Sequence, residues 1–331
     1  MDGDTLREIR SEVLPVIAQI YPMQVWTLEE LGGYRNWVCQ ISCGDAPLVL
    51  RVTSASHRSL RELEAEVALV ETLYEHDVPV AAPVEVPGVP RISRVTLGER
   101  VYYITAFEKA AGLRWNEMRQ GPREYREAGR VLAKIHRVTA ALPAPLHRAA
   151  WDSNDYIRNA KRVLPPEKRW VLPQMGALVG ELRSLPRDEQ EYGLVHGDYN
   201  FANMLYAPTG VTVIDFDEAE YHWYSYDLAV YLFYYLLGKD PARMDLTAGG
   251  EVWQHFVEGY QTERAPPVRL AEELPGFLRL REYMLYSSVY EGVSLKPWGE
   301  WQRSFVAAAE ERFRTGRPVV EVERLYQWGG L

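Results

Sequence analysis

The chain is short of cysteine, of long apolar runs and of positive charge. Only two cysteines, Cys39 and Cys43, occur in 331 residues. They stand on what reads as one strand and its turn, with no His/Cys partners around them, which argues against a zinc site and for buried free thiols. The longest apolar run, "LAVYLFYYLL" at 228–237, falls far short of the ~20 residues that span a bilayer. Lysine and arginine number 37 against 46 aspartates and glutamates, a net charge of −9. That field predicts no general affinity for nucleic acid or an anionic membrane and mildly favours neutral or cationic ligands. The opening "MDGDTLREIR" has no basic-then-apolar leader pattern, so a soluble, cytoplasmic protein is expected. Internal repeats and low-complexity tracts are absent.

What is present is an ordinary globular composition, 47% hydrophobic and 25% charged, with length enough for two domains or one large bilobal unit. Leu6, Ile9, Val13, Val16 and Ile20 recur at helical spacing, with Pro15 expected to kink or divide the segment. "NWVCQIS" and "PLVLRVT" flank the turn signal "CGDAP" and predict a hairpin. Leu60, Leu63, Val67, Val70 and Leu73 line one face of a helix over 59–76. The proline-broken segment that follows ends in the apolar strand "VYYITAF". Beyond "EKAAG" helix dominates: Ala128, Val131, Leu132 and Ile135 form a stripe, a helix is expected near 174–185, and the chain from Ser225 onward reads as mostly helical. The expectation is therefore an α+β chain. An antiparallel sheet lobe with one helix occupies residues 1–108, and a larger, mainly helical lobe occupies 109–331.

Two polar loops interrupt this pattern. In "GLVHGDYNFANMLY" (193–206), His196, Gly197, Asp198 and Asn203 lie between apolar runs. In "VTVIDFDEAEYHWYSYDLA" (211–229), Asp215 follows a short strand. A lone Asp or Asn in a loop usually serves turn geometry. Three such groups, two carboxylates and an amide, are instead suited to a hard cation and a proton acceptor.

The spacing H-G-D-x-x-x-x-N followed by D-F-D, on a sheet lobe joined to a helical lobe, is similar to the aminoglycoside phosphotransferase group of the protein-kinase-like superfamily. Gly197 stands where protein kinases carry Arg. "VIDFDEAEYHWYSYDLA" looks most like the branch that includes the bacterial stress-response kinase. The resemblance covers "LGGYRNWV" through "YDLAVYL" and is weak over the last hundred residues. It implies ATP- and Mg²⁺-dependent transfer of the γ-phosphoryl group to a hydroxyl, on a small molecule or on a protein Ser/Thr.

On that resemblance Asp198 is the catalytic base, and Asn203 and Asp215 are the metal ligands. Gly32 and Gly33 belong to the loop that covers the phosphates. Arg51 replaces the usual Lys as the grip on the α- and β-phosphates; it stays charged and can fork two oxygens. Its partner is Glu66, with Glu62 as second choice. Backbone groups near Phe107 and Glu108 face adenine. His196 braces the catalytic loop, His136 is a packing histidine, and Asp227 reads as a helix N-cap that supports the loop. Asp217 either touches metal or sits in solvent. Acceptor contacts are sought among Trp151 to Tyr156, Tyr199, His222 to Tyr224 and residues 281–298, where aromatics could stack on a ring or cage an ammonium. Core filling is the competing explanation for each of those aromatics. The arginine at position 51 leaves open a scaffolding or nucleotide-binding protein without turnover. The sequence does not fix the oligomeric state.

Overall fold

A computed structural model describes residues 9–21, 28–33, 35–43, 46–238, 240–242, 244–292 and 297–329. Leu6 of the expected first helix, Tyr34, Gly44 and Asp45 of the expected turns, and residues 293–296 lie outside the described residues. The chain divides into two compact units, residues 1–111 with 145–147, and residues 112–144 with 148–331.

The first unit is an antiparallel sheet in the order β1-β2-β3-β5-β4, built from β1 (Leu28–Gly32), β2 (Trp37–Cys43), β3 (Ala46–Ser54), β4 (Ile92–Leu97) and β5 (Arg100–Glu108). The expected hairpin is β2–β3, with Cys39 opposite Leu50 and Val38 opposite Arg51. Side chains alternate across a strand, and this sorts β3 cleanly. Leu50 and Val52 join Trp37, Cys39, Ile41, Tyr102 and Ile104 in an apolar core that also takes Val13, Ile17 and Tyr21. Val13 closes a π turn, and Ile17 belongs to α1 (Leu14–Ile20), whose first turn accommodates Pro15. Burial pushes the Cys39 thiol up to about 12, which leaves it an inert core group.

Arg51, between Leu50 and Val52, points to the opposite face, toward α2 (Leu60–Glu75). That helix starts on a capping box. The Ser59 hydroxyl accepts from the Glu62 amide at 3.3 Å, and the Glu62 carboxylate accepts from the Ser59 amide at 2.8 Å. The apolar stripe of α2 then buries Leu63, Val67, Val70 and Leu73.

The second unit is mainly helical: α3 (Pro122–Ala140), the short α4 (Asp155–Arg158) and α5 (Ala160–Val163), α6 (Leu172–Arg183), α7 (Tyr224–Leu237), α8 (Leu246–Gln261), α9 (Leu270–Gly292), α10 (Glu300–Thr315) and α11 (Val322–Trp328). The helices α3 and α8 approach so closely that a methyl on Gly129 would enter the Phe256 carbonyl, and one on Gly259 the Arg126 carbonyl. The apolar run 228–237 becomes α7, a helix buried on nearly every side. Among the described residues no helix is long and apolar enough to cross a membrane.

Two small antiparallel pairs complete this unit, and they are nested. The inner pair is β7 (Met204–Ala207) with β8 (Gly210–Val213), and the outer pair is β6 (Tyr192–Val195) with β9 (Glu220–Trp223). Nesting forces the segments between inner and outer strands, residues 196–203 and 214–219, to face each other. The two polar loops of the sequence are therefore neighbours by topology.

Candidate active site

The loop after β6 is held from below by Asp227. Its carboxylate accepts from the backbone amides of His196 at 2.8 Å and Gly197 at 2.9 Å, and it meets His136 Nε2 at 3.1 Å. Asp227 is not the N-cap expected from sequence: α7 begins at Tyr224 with Trp223 at the N-cap position, so Asp227 lies within the first turn of the helix. Its acceptor capacity is turned on the loop and not on its own helix. His136 is fully buried, its Nδ1 2.8 Å from the Tyr260 hydroxyl, and burial lowers its pKa against the opposing pull of Asp227.

His196 braces the same loop. Its Nε2 is 3.2 Å from the Ile214 carbonyl and its Nδ1 accepts from the Asp198 amide at 3.2 Å, so the ring spans both polar loops. Gly197 adopts φ 81°, and a β-carbon there would run into the Glu218 carbonyl. Only glycine suits this position.

Asp198, Asn203 and Asp215 are brought to one place. Asn203 Nδ2 donates to the Asp198 carboxylate and to the Asp198 carbonyl, both at 3.0 Å, and the Asn203 carbonyl accepts from the Ile214 amide at 3.0 Å. Asp215, the next residue, sits at φ 67°, a left-handed conformation uncommon for a side-chain-bearing residue and characteristic of functional loops. Because Nδ2 of Asn203 faces Asp198, its carbonyl oxygen Oδ1 points away. An amide oxygen and a carboxylate, the groups carried by Asn203 and Asp215, are the neutral and charged oxygen donors that a hard cation such as Mg²⁺ takes. Asp217 is only 4% exposed, which removes the solvated alternative, and the Arg148 guanidinium donates to its backbone carbonyl.

Arg281 of α9 is the residue of this loop cluster that the motif reading did not single out. It is 6% exposed, and its Nη2 donates to the Asp198 carboxylate and, at 2.7 Å, to the Tyr234 hydroxyl. Its signal in the sequence is modest but real. Arg281 continues the buried stripe Leu274, Phe277, Leu278, a charged residue at a position whose periodicity demands an apolar one.

In the sheet unit, Arg51 and Glu66 form a two-point ion pair, Nη1–Oε1 at 2.7 Å and Nη2–Oε2 at 2.6 Å. The guanidinium also lies 5.2 Å from the Phe107 ring centroid. Glu62, the second choice, is occupied in the helix cap. Gly32 and Gly33 have φ of 93° and 131°. Both lie in the left-handed region that favours glycine, and a side chain on Gly33 would in addition strike the Asn36 carbonyl, whereas Gly32 faces open space. Phe107 pairs with Val49 on β3, and the Glu108 amide is engaged at 2.9 Å by the Ala82 carbonyl. That amide is accordingly not an open donor.

Several acceptor candidates prove to be core. Trp151, Tyr199, His222, Trp223 and Tyr224 are fully buried, and His222 stacks on Tyr226 at 3.9 Å between ring centroids. For these the packing explanation holds.

A sheet unit with a buried Arg–Glu pair, and a helical unit with nested loops carrying Asp, Asn and Asp, define a protein-kinase-like phosphotransferase of bilobal α+β fold. Residues 27–279 match the model of the phosphotransferase enzyme family, APH, and the chain belongs to that family. It is a kinase that phosphorylates hydroxyl groups. The chain is 26% identical over 314 residues to an amicoumacin kinase of Bacillus subtilis (strain 168), covering 93% of each. Among solved structures it is similar to an amicoumacin kinase in complex with AMP-PNP, Ca²⁺ and Ami, with a TM-score of 0.86, 21% identity, and 98% and 99% of the two chains covered. It is also similar to a microcompartment-associated aminopropanol kinase, with a TM-score of 0.72, 22% identity, and 92% and 97% covered.

Proposed function

We propose that the chain moves the γ-phosphoryl group of ATP, bound with Mg²⁺, to the hydroxyl of a small molecule, with Asp198 as the base. The observation that carries this is the pair of 3.0 Å contacts from Asn203 to Asp198 and to the residue before Asp215. They support the reading because they hold Asp198 and Asn203 beside the segment that carries Asp215, residue types suited to a proton acceptor and to ligands of a hard cation. Residues 1–108 serve as the nucleotide-binding lobe and 109–331 as the lobe with catalytic loop and acceptor site.

Asp198 orients the acceptor hydroxyl and takes its proton as the oxygen attacks the γ-phosphorus, whose bond to the β–γ bridging oxygen breaks and releases ADP. Asn203 and Asp215 would hold Mg²⁺, which would supply charge cancellation on the phosphates. Arg51, aligned by Glu66, grips the α- and β-phosphates, Gly32 and Gly33 let backbone approach them, and carbonyl groups near Phe107 and Glu108 face the base. Relatives named for amicoumacin and aminopropanol support a small-molecule acceptor. The likeness of "VIDFDEAEYHWYSYDLA" to the stress-response kinase branch supports a second reading, a protein Ser/Thr acceptor. A cytoplasmic location, where ATP is supplied, fits either.

The test is thermal melting with ATP and Mg²⁺, followed by turnover on a panel of hydroxyl compounds beside an autophosphorylation assay. Asp198→Ala is expected to keep the nucleotide-linked stabilisation and lose turnover, and Asp215→Ala to lose the Mg²⁺-dependent part with the fold intact. Wild-type activity in Asp215→Ala would refute the ligand assignment. Binding by the wild-type protein with no turnover on any acceptor would favour a scaffold.

A further inference from the structure

Arg281 lies 83 residues beyond Asp198, on α9, yet its guanidinium is bound to that carboxylate. Taking an arginine out of water is costly unless acceptors and a counter-charge meet it. Arg281 finds four acceptors: the Asp198 carboxylate, the Tyr234 hydroxyl at 2.7 Å, and the Tyr226 hydroxyl and Gly197 carbonyl at 3.4 Å each. Three of these are neutral. The counter-charge among them is Asp198 itself, whose side chain remains 26% exposed while that of Arg281 is 8% exposed. Had the arginine served only to join α9 to α7, the tyrosines and an apolar residue would have sufficed at lower cost.

The other Asp198 oxygen accepts from Asn203 Nδ2 at 3.0 Å. Arginine holds Oδ1, the asparagine holds Oδ2, and the carboxylate plane is pinned from both ends. A carboxylate has about four acceptor sites, so two donors leave capacity for a hydroxyl proton. An arginine stays protonated throughout and so holds the base without competing for that proton. Tyr234 sets the guanidinium in turn, by its hydroxyl and by a ring whose centroid is 5.0 Å from the guanidinium carbon.

We propose that Arg281 is a positioning residue for phosphoryl transfer, fixing the rotation of the Asp198 carboxylate toward the acceptor hydroxyl. The proposal rests on Asp198 being the base. Freed of the arginine, the carboxylate can swing by about an ångström, a displacement that costs on the order of 100-fold in rate.

The experiment compares kcat, KM and nucleotide affinity for wild type, Arg281→Ala, Arg281→Lys, Arg281→Gln, Asp198→Ala and the double variant Asp198→Ala/Arg281→Ala. Melting temperatures are recorded alongside, and ATP hydrolysis with water as acceptor is the common readout. Arg281→Ala should lower kcat about 100-fold while nucleotide affinity stays within roughly twofold, since the loss falls on the transition state. Lysine, which keeps a charge but not the fork, should restore part of the loss, and glutamine should not. In the Asp198→Ala background, adding Arg281→Ala should cost nothing further in kcat, because the arginine acts through the missing carboxylate. An additive loss in the double variant, or wild-type kcat in Arg281→Ala, overturns the proposal. If alanine prevents folding, the lysine and glutamine pair carries the same comparison. Full turnover in Asp198→Ala would instead sink the assignment of the base, an outcome distinct from failure at Arg281.

Discussion

Arg51 and Glu66 meet as two parallel hydrogen bonds, 2.7 and 2.6 Å, in a setting where neither side chain is more than 7% exposed. One comes from the middle of a strand and the other from a helix, so the pair fixes the helix against the sheet while aiming a cation. Glu66→Ala leaves the arginine buried without its partner. It should cost about 3–5 kcal/mol in urea unfolding and raise the KM for nucleotide. Arg51→Lys keeps the charge but loses the fork, so it should keep activity with nucleotide KM raised about tenfold, roughly the value of one charge-assisted bond.

The left-handed backbone at Gly197 carries Asp198, the proposed base, on its next residue. Gly197→Ala should destabilise the protein by about 1–3 kcal/mol for backbone strain alone, and by more because the methyl meets the Glu218 carbonyl. Turnover should fall further than stability requires, since Asp198 is displaced. Calorimetry and kcat on the same preparation separate the two effects.

His222 supplies a pH test that does not touch the reaction. It is fully buried, and burial, with a lesser contribution from Arg187, holds its pKa well below the ordinary 6.5. Below about 6.5 the unfolded chain takes up a proton that the folded chain refuses, so stability is lost as pH falls. The slope reaches about 1.4 kcal/mol per pH unit for each such histidine, and His136, also lowered, adds a second contribution. His222→Phe, which keeps the stacking on Tyr226, should flatten the decline between pH 6.5 and 5 by about one histidine's share. An unchanged slope in chemical denaturation would show that this ring is charged in the fold.

The crossing of α3 and α8 depends on two glycines. Gly129→Ala or Gly259→Ala places a methyl inside a facing backbone carbonyl, which no side-chain rotation relieves. Each should cost more than the ~1–3 kcal/mol of ordinary overpacking, with a drop in melting temperature far larger than for Gly176→Ala, where the space is open.

Much of this was legible in the sequence because it is local. Arg51 and Glu66 were legible through the family resemblance, which asks for a cation on the strand "LVLRVT" and an acid on the following helix; Glu66 lies about two turns into that helix. The loop motif was legible because its chemistry needs fixed spacing. What stayed hidden depends on distant pairing. The β6–β9 and β7–β8 strands are four residues each, too short for a periodic signal. Asp227 read as a cap because an acid before an apolar helix usually is one; its support of the loop came from the resemblance, and the bonds to the His196 and Gly197 amides agree with that part. The aromatics at 222–224 looked available for ligand and are core, because Tyr and Trp have the same composition signature in both settings. Arg281 opened the 281–298 stretch searched for acceptor contacts, but its bond to Asp198 is made across 83 residues and left no local signal beyond a charge on an apolar stripe.

The grip of Asp227 on the His196 and Gly197 amides has a dynamic consequence. The carboxylate belongs to α7, the most thoroughly buried helix of its unit, so those two amide protons share the fate of that helix and not of a surface loop. In hydrogen exchange they should open only with the unit as a whole, at the slow limit set by global unfolding. The machinery of a loop would then have the rigidity of a core.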